Sequence, residues 1–132
     1  MKYLLDTCVI SDFIKGDPGT LNTLKATSPS EIGVASVTVM ELQYGLFLHP
    51  VKAKIIRPII TNFLASIVIF DFDKNDAQHA AEVRAELKHK GQPIGPYDIL
   101  LAGMALNRNL ILVSANISEF KRIEKLKLVN WR

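Results

Sequence analysis

Short, continuously apolar runs alternate with longer helical stretches along this whole chain, and that alternation leaves few architectures open to it. Tyr3 to Leu5, Ile32 to Ser36, Ile67 to Phe72, Leu110 to Ser114 and Leu126 to Val129 are strand candidates rich in Ile, Leu and Val. Runs without a polar alternation read as parallel strands buried on both faces. Between them lie helical stretches over Cys8 to Ile14, Pro18 to about Ala26, Thr38 to Leu48, Pro50 to about Ala65, Tyr97 to Asn107 and Ser118 to Ile123. Asp17 caps the second of these with Pro18 at its first position, and Pro58 is expected to kink or divide the fourth. A further helix runs to about Lys90, capped by Asn75 or Asp76 and stopped by Gly91, and residues 92–96 form a loop. The expected fold is an α/β three-layer sandwich with its site beyond the C-terminal strand ends.

No repeat, low-complexity stretch or linker divides the 132 residues, so we expect a single domain over residues 1–132. Cys8 is the only cysteine, which excludes an internal disulfide and any cysteine-based zinc set and fits a reducing, cytoplasmic setting. Met1 to Leu5 looks like the opening of a signal peptide, but Asp6 interrupts it at once, and no targeting segment is expected. The longest apolar runs, Ile67 to Phe70 and Ile99 to Leu106, fall far short of the roughly 20 residues a bilayer requires. A net charge of +3 is weak support for an anionic partner. Lys121, Arg122, Lys125, Lys127 and Arg132 crowd the C-terminal segment, and Arg84, Lys88 and Lys90 crowd one helix end; a solvated face accounts for such clusters as well as a nucleic acid does.

Three acids interrupt segments that otherwise read as core: Asp6 after Tyr3-Leu4-Leu5, Glu41 within Val37 to Leu42, and Asp98 before Ile99-Leu100-Leu101. An ionised carboxylate in apolar surroundings loses several kcal/mol of hydration unless charge or hydrogen bonds compensate it. None of the three segments contains Lys or Arg, which makes a bound cation a candidate partner. Asp6 ends the first strand, Glu41 shares a helical stripe with Val37, Tyr44 and Leu48 that points inward, and Asp98 lies with Leu101, Ala102 and Ala105. Asn116 follows the strand over Leu110 to Ser114 and reaches the same edge. Oxygen ligands of this kind suit Mg²⁺ or Mn²⁺, which keep waters and share their coordination sphere with phosphate. Hydrolysis of a phosphodiester by metal-activated water is the chemistry such a site serves.

Local structure offers competing roles. Asp6 can cap the helix after it, Asp98 can favour a helix first turn, and Thr38 to Glu41 and Asn116 to Glu119 both match the capping-box spacing. Thr7 and Ser114 either orient water or phosphate near a metal or cap locally. Met40, Tyr44 and Phe47 form a stripe read as core or dimer contact rather than a base-stacking platform. His49, His79 and His89 show no ligand spacing and no partner acid, which disfavours metal-free ribonuclease chemistry.

The order of these motifs resembles the PIN-domain family, and within it the VapC-like toxins of bacterial toxin-antitoxin pairs. The resemblance runs from Leu4-Leu5-Asp6-Thr7 through Ser36 to Gly45 and Gly95 to Ala102, and on to Leu112 to Phe120 with Val129-Asn130-Trp131. It implies a four- or five-stranded parallel sheet, Asp6, Glu41 and Asp98 as metal ligands, and cleavage of RNA that leaves a 5′-phosphate and a 3′-hydroxyl. It also implies a homodimer and a cognate VapB-like antitoxin whose tail fills the active-site groove. Asn116 stands where many relatives carry a fourth acid, and Glu119 is a possible supporting acid. Cys8 stands where asparagine is common and is expected to affect packing. One rival is a non-catalytic PIN-like module that binds RNA or protein. A phosphotransfer or phosphatase domain ranks behind, because Asp6 has no acidic neighbour on its strand.

Overall fold

A computed structural model of the chain describes residues 2–132. Its strands are β1 (Tyr3–Leu5), β2 (Ile32–Ala35), β3 (Val68–Phe70), β4 (Ile111–Val113) and β5 (Leu128–Val129). Its helices are α1 (Thr7–Lys15), α2 (Pro18–Ala26), α3 (Ser36–Leu48), α4 (Pro50–Ser66), α5 (Lys74–His89), α6 (Pro96–Arg108) and α7 (Ile117–Phe120). All pairings are parallel, in the order β3-β2-β1-β4-β5, so the expected parallel sheet has five strands.

Side chains of a strand alternate between faces, and here the alternation assigns β1, β2 and β4 to two cores at once, while the edge strand β3 packs only Phe70 and leaves Val68 and Ile69 exposed. Leu4, Ala35 and Leu112 point into a core closed by Val83 and Leu87 of α5 and Leu101 and Met104 of α6. Leu5, Val34 and Val113 point the other way, onto Val9 and Ile10 of α1 and Leu42 and Leu46 of α3. Three layers follow directly. In the first core α5 and α6 approach closely at Gly103, where an added Cβ would stand 2.6 Å from the Ala80 amide nitrogen. Only glycine fits at that distance.

The chain lays down β1, β2 and β3 in one direction and then returns to the other side of β1 for β4 and β5. The order reverses between β1 and β4, and a reversal in a parallel sheet opens a crevice beyond the strand ends. Asp6 follows β1 there and Ser114 follows β4, with the Asp6 amide donating to the Val113 carbonyl at 3.0 Å.

Several local expectations are corrected. Asp73, not Asn75 or Asp76, caps α5, in a reciprocal box with Asp76 at the third helical position. Pro58 does not divide α4, which runs unbroken from Pro50 to Ser66. Lys54, whose carbonyl loses its helical partner there, is exposed, so water can take the bond. Helix α3 begins at Ser36, which leaves Thr38 inside it with a buried hydroxyl that has no partner among the described residues, and no Thr38–Glu41 capping box forms.

Candidate active site

The crevice gathers the side chains that sequence reasoning singled out, through hydrogen bonds that no local pattern specifies. Asp6 caps α1, accepting from the Thr7 amide at Oδ1 over 2.6 Å. Its other oxygen, Oδ2, accepts from the Ser114 hydroxyl at 2.8 Å and from Cys8 Sγ at 3.5 Å. The capping and pocket readings of Asp6 therefore both hold, one per oxygen. Ser114 is fully buried, and its Oγ also accepts from the Asn116 amide at 3.0 Å. The Thr7 hydroxyl reaches across to donate to Glu41 Oε1 at 3.0 Å. Each hydroxyl holds one acid, and Ser114 also takes a local backbone amide, so both of its readings hold.

On the other wall Asp98 lies in the first turn of α6. Asn116 Nδ2 donates to Asp98 Oδ2 at 3.3 Å and to Glu119 Oε2 at 2.9 Å. The asparagine makes no side-chain cap on α7 and instead bridges two acids, bringing Glu119 into the cluster as a fourth carboxylate. Burial raises the Asp98 carboxyl to about 6, with the charges of Asp6, Glu119 and Glu41 pushing the same way and the Asn116 bond opposing them. Four acids thus act on one spot, and none of them makes an ion pair with a described Lys or Arg.

Elsewhere the fold treats buried acids differently. Asp76 is fully buried, and burial alone would raise its carboxyl. Arg108 at 2.9 Å, the Asp73 amide at 2.9 Å and Asn107 Nδ2 at 2.8 Å together bring it below the usual range. Asp12 is clamped by two nitrogens of Arg132, at 2.8 and 3.1 Å. Neither arginine partnership was visible beforehand, because each joins residues far apart in the chain.

Among the described residues no three His, Cys, Asp or Glu side chains are drawn together tightly enough to ring an ion unaided. Neutral hydroxyl and amide groups, not direct contacts, tie the carboxylates together. The arrangement still fits a hard dication, which keeps several waters and needs only one or two direct carboxylates. Asp6, Glu41 and Asp98 are the carboxylates that would hold one, with Glu119 beside them; Asn116 turns its nitrogen, not its oxygen, to the acids.

Two expectations about α3 change. Its buried stripe is Thr38, Leu42 and Leu46, while Tyr44 and Leu48, placed with Glu41 on an inward stripe, are exposed. Glu41 reaches the pocket from the edge of that buried face. Met40, Tyr44 and Phe47 are likewise exposed and are not core. Cys8 does more than pack, since its thiol meets both Asp6 and Ser114, and burial pushes it above its ordinary value. His49 and His89 are exposed, and His79 binds only the Asn75 carbonyl.

The sequence matches the PIN domain over residues 3–126. It is 34% identical over 131 residues to the tRNA(fMet)-specific endonuclease VapC of Shigella flexneri, spanning 99% of this chain and 98% of that protein. The fold superposes on the structure of VapBC2 from Rickettsia felis bound to a DNA fragment from their promoter, with a TM-score of 0.91, 35% identity and full coverage of both chains. The DNA-bound VapBC of Salmonella typhimurium gives a TM-score of 0.90 at 31% identity, covering 100% of this chain and 99% of that one.

Proposed function

The chain belongs to the PIN-domain family, among the VapC ribonucleases, and from that premise we propose that it is a Mg²⁺- or Mn²⁺-dependent endoribonuclease, the toxin of a toxin-antitoxin pair. One observation carries the reading: the charges of Asp6, Glu41 and Glu119 all act on Asp98, and none of the four makes an ion pair with a described Lys or Arg, whereas Asp12 and Asp76 each have an arginine. The bound dication would lower the pKa of a water and polarise the phosphate.

The residues of the chain set the stage for that chemistry. Ser114 and the Thr7 amide hold the two oxygens of Asp6, the Thr7 hydroxyl orients Glu41, and Asn116 spaces Asp98 from Glu119. The acids alone repel a phosphodiester, so RNA seats here only when their charge is neutralised. Glu119 restores a fourth carboxylate where Asn116 lacks one, which weakens the case for a non-catalytic module.

The partner proposed is a VapB-like antitoxin, as in the VapBC complexes to which the fold is similar. A groove of about 290 Å³ begins at Thr7 and Glu41 and continues over Ile14, Leu46, Ile56 and Ile60. Its apolar floor suits an amphipathic antitoxin segment that ends at the acids. A homodimer would cover the exposed apolar face of α3 and α4, where Tyr44, Phe47, Val51 and Ile55 stand in solvent. No helix among the described residues is long and apolar enough to cross a membrane, and the cytoplasm is the compartment proposed.

The test is cleavage of RNA by the purified chain, with initiator tRNA assayed first because the Shigella relative is named for it. With Mg²⁺ the reading expects fragments bearing 5′-phosphate and 3′-hydroxyl ends. EDTA abolishes them, as does Asp6→Asn in a variant with unchanged circular dichroism. Cleavage that persists in EDTA contradicts the reading.

A further inference from the structure

Beside the acid pocket, on the α6–α7 side, stand an exposed aromatic ring and an arginine that no acid claims. Tyr97 is 47% exposed in the first turn of α6, one position before Asp98. Consecutive helical residues differ by about 100°, so while Asp98 turns to Asn116, Tyr97 leaves the same turn in another direction and stays exposed one residue from the acid. Helical side chains lean toward the N-terminus, which for Tyr97 is the end of α6 that carries Asp98. Pro96 before it fixes the backbone, so the ring is presented from a rigid turn.

Arg122 follows α7, and its NH1 donates to the Pro93 carbonyl at 3.0 Å, in the loop that leads into Tyr97. It makes no ion pair among the described residues, unlike Arg108 and Arg132, which each hold a buried aspartate. One backbone bond thus anchors the guanidinium beside the loop and leaves its charge uncompensated. Tyr97 and Arg122 thus meet the same loop, residues 93–97, and an exposed aromatic face with a free guanidinium is the pair of contacts that single-stranded nucleic acid uses, a base on the ring and a phosphate on the cation.

We propose that Tyr97 and Arg122 form a nucleotide seat next to the acid pocket, with a base flanking the cut phosphate stacked on Tyr97 and a neighbouring phosphate held by Arg122. The inference rests on the ribonuclease reading and adds to it that the RNA is taken with at least one base unpaired at the site. Tyr44, the other exposed tyrosine near an acid, belongs to the apolar face of α3 and α4 and is not part of this seat.

The experiment is steady-state cleavage of a labelled single-stranded RNA with Mg²⁺ by the parent chain, Tyr97→Phe, Tyr97→Ala and Arg122→Gln. A companion set of oligonucleotides carries one abasic residue at each position around the cut. Tyr97→Ala should raise KM about tenfold with little change in kcat, and Tyr97→Phe should stay near the parent. On the oligonucleotide abasic at the stacked position, the parent and Tyr97→Ala should become equal, which a merely structural role for the ring would not produce. Arg122→Gln should raise KM and lower the salt dependence of binding by about one phosphate contact. If the parent cleaves and Tyr97→Ala matches it on every substrate, or loses equally on intact and abasic RNA, the seat is overturned and the ribonuclease reading stands. If the parent cleaves nothing, both fall together.

Discussion

Asp76 and Asp98 are both aspartates in helix first turns, and the fold treats them in opposite ways. Around Asp76 it assembles Arg108, Asn107 and the Asp73 amide, and the carboxyl sits below its usual range. Around Asp98 it assembles three more acids and one asparagine, and the carboxyl is pushed up to about 6. The contrast separates a carboxylate that holds the protein together from one that the protein holds in readiness. Arg108 goes to one buried acid and Arg132 to another, while no described Lys or Arg makes an ion pair with the acids of the crevice. On the proposed reading a bound cation supplies the charge balance of that pocket.

Substitutions at the two sites should therefore differ in sign. Arg108→Leu leaves Asp76 buried without its counter-charge and should cost about 3–5 kcal/mol, read by urea unfolding. A loss below about 1 kcal/mol would mean that the Asp76 cluster is not the compensated site described. Asp98→Asn should instead stabilise the metal-free protein by about 1 kcal/mol, since half-exposure screens much of the repulsion, while abolishing cleavage. Melting in EDTA reads the first effect and an RNA assay the second; a destabilised variant would break the comparison.

The same opposition appears against pH. Asp98 has a folded pKa above its unfolded value, so its contribution to stability is complete below about 4 and is lost as pH rises through about 6. Asp76 has a lowered pKa, so its contribution is present above about 4 and is lost as pH falls below that. In EDTA, the melting temperature of the parent relative to Asp98→Asn should therefore drop between pH 4.5 and 7. No change in that difference would place Asp98 outside the acid cluster. The smallest effect is expected for Thr7→Val, which frees Glu41 and should raise the Mg²⁺ concentration for half-maximal cleavage a few-fold.

The layers and the two aspartates of the crevice were legible in the sequence because both follow from short-range patterns. Continuous apolar runs specify parallel strands, and an acid directly after Leu5 must lie at a strand end whatever the rest of the chain does. The roles of Glu41 and Asn116 were less legible. The stripe drawn through Glu41, Tyr44 and Leu48 follows helical spacing, yet the buried face lies one step round, through Thr38, Leu42 and Leu46. Asn116 and Glu119 match a capping box, but the Asn116 backbone amide donates to Ser114 and its side-chain nitrogen to Asp98 and Glu119, so neither half of the box forms. Spacing rules describe what a side chain can reach along its own helix. Arg132 on Asp12 and Arg108 on Asp76 arise from tertiary approach, which no spacing encodes.

Calorimetric titration of the metal-free protein with Mn²⁺ at pH 7 tests most directly whether the crevice is built for a cation the chain does not supply. The account predicts saturable binding that raises the melting temperature in parallel, since a ligand at a hundred times its Kd adds about 2.7 kcal/mol, and it predicts that Asp98→Asn loses both. Equal heats and equal melting shifts in the parent and Asp98→Asn, or no binding at millimolar Mn²⁺, would contradict it.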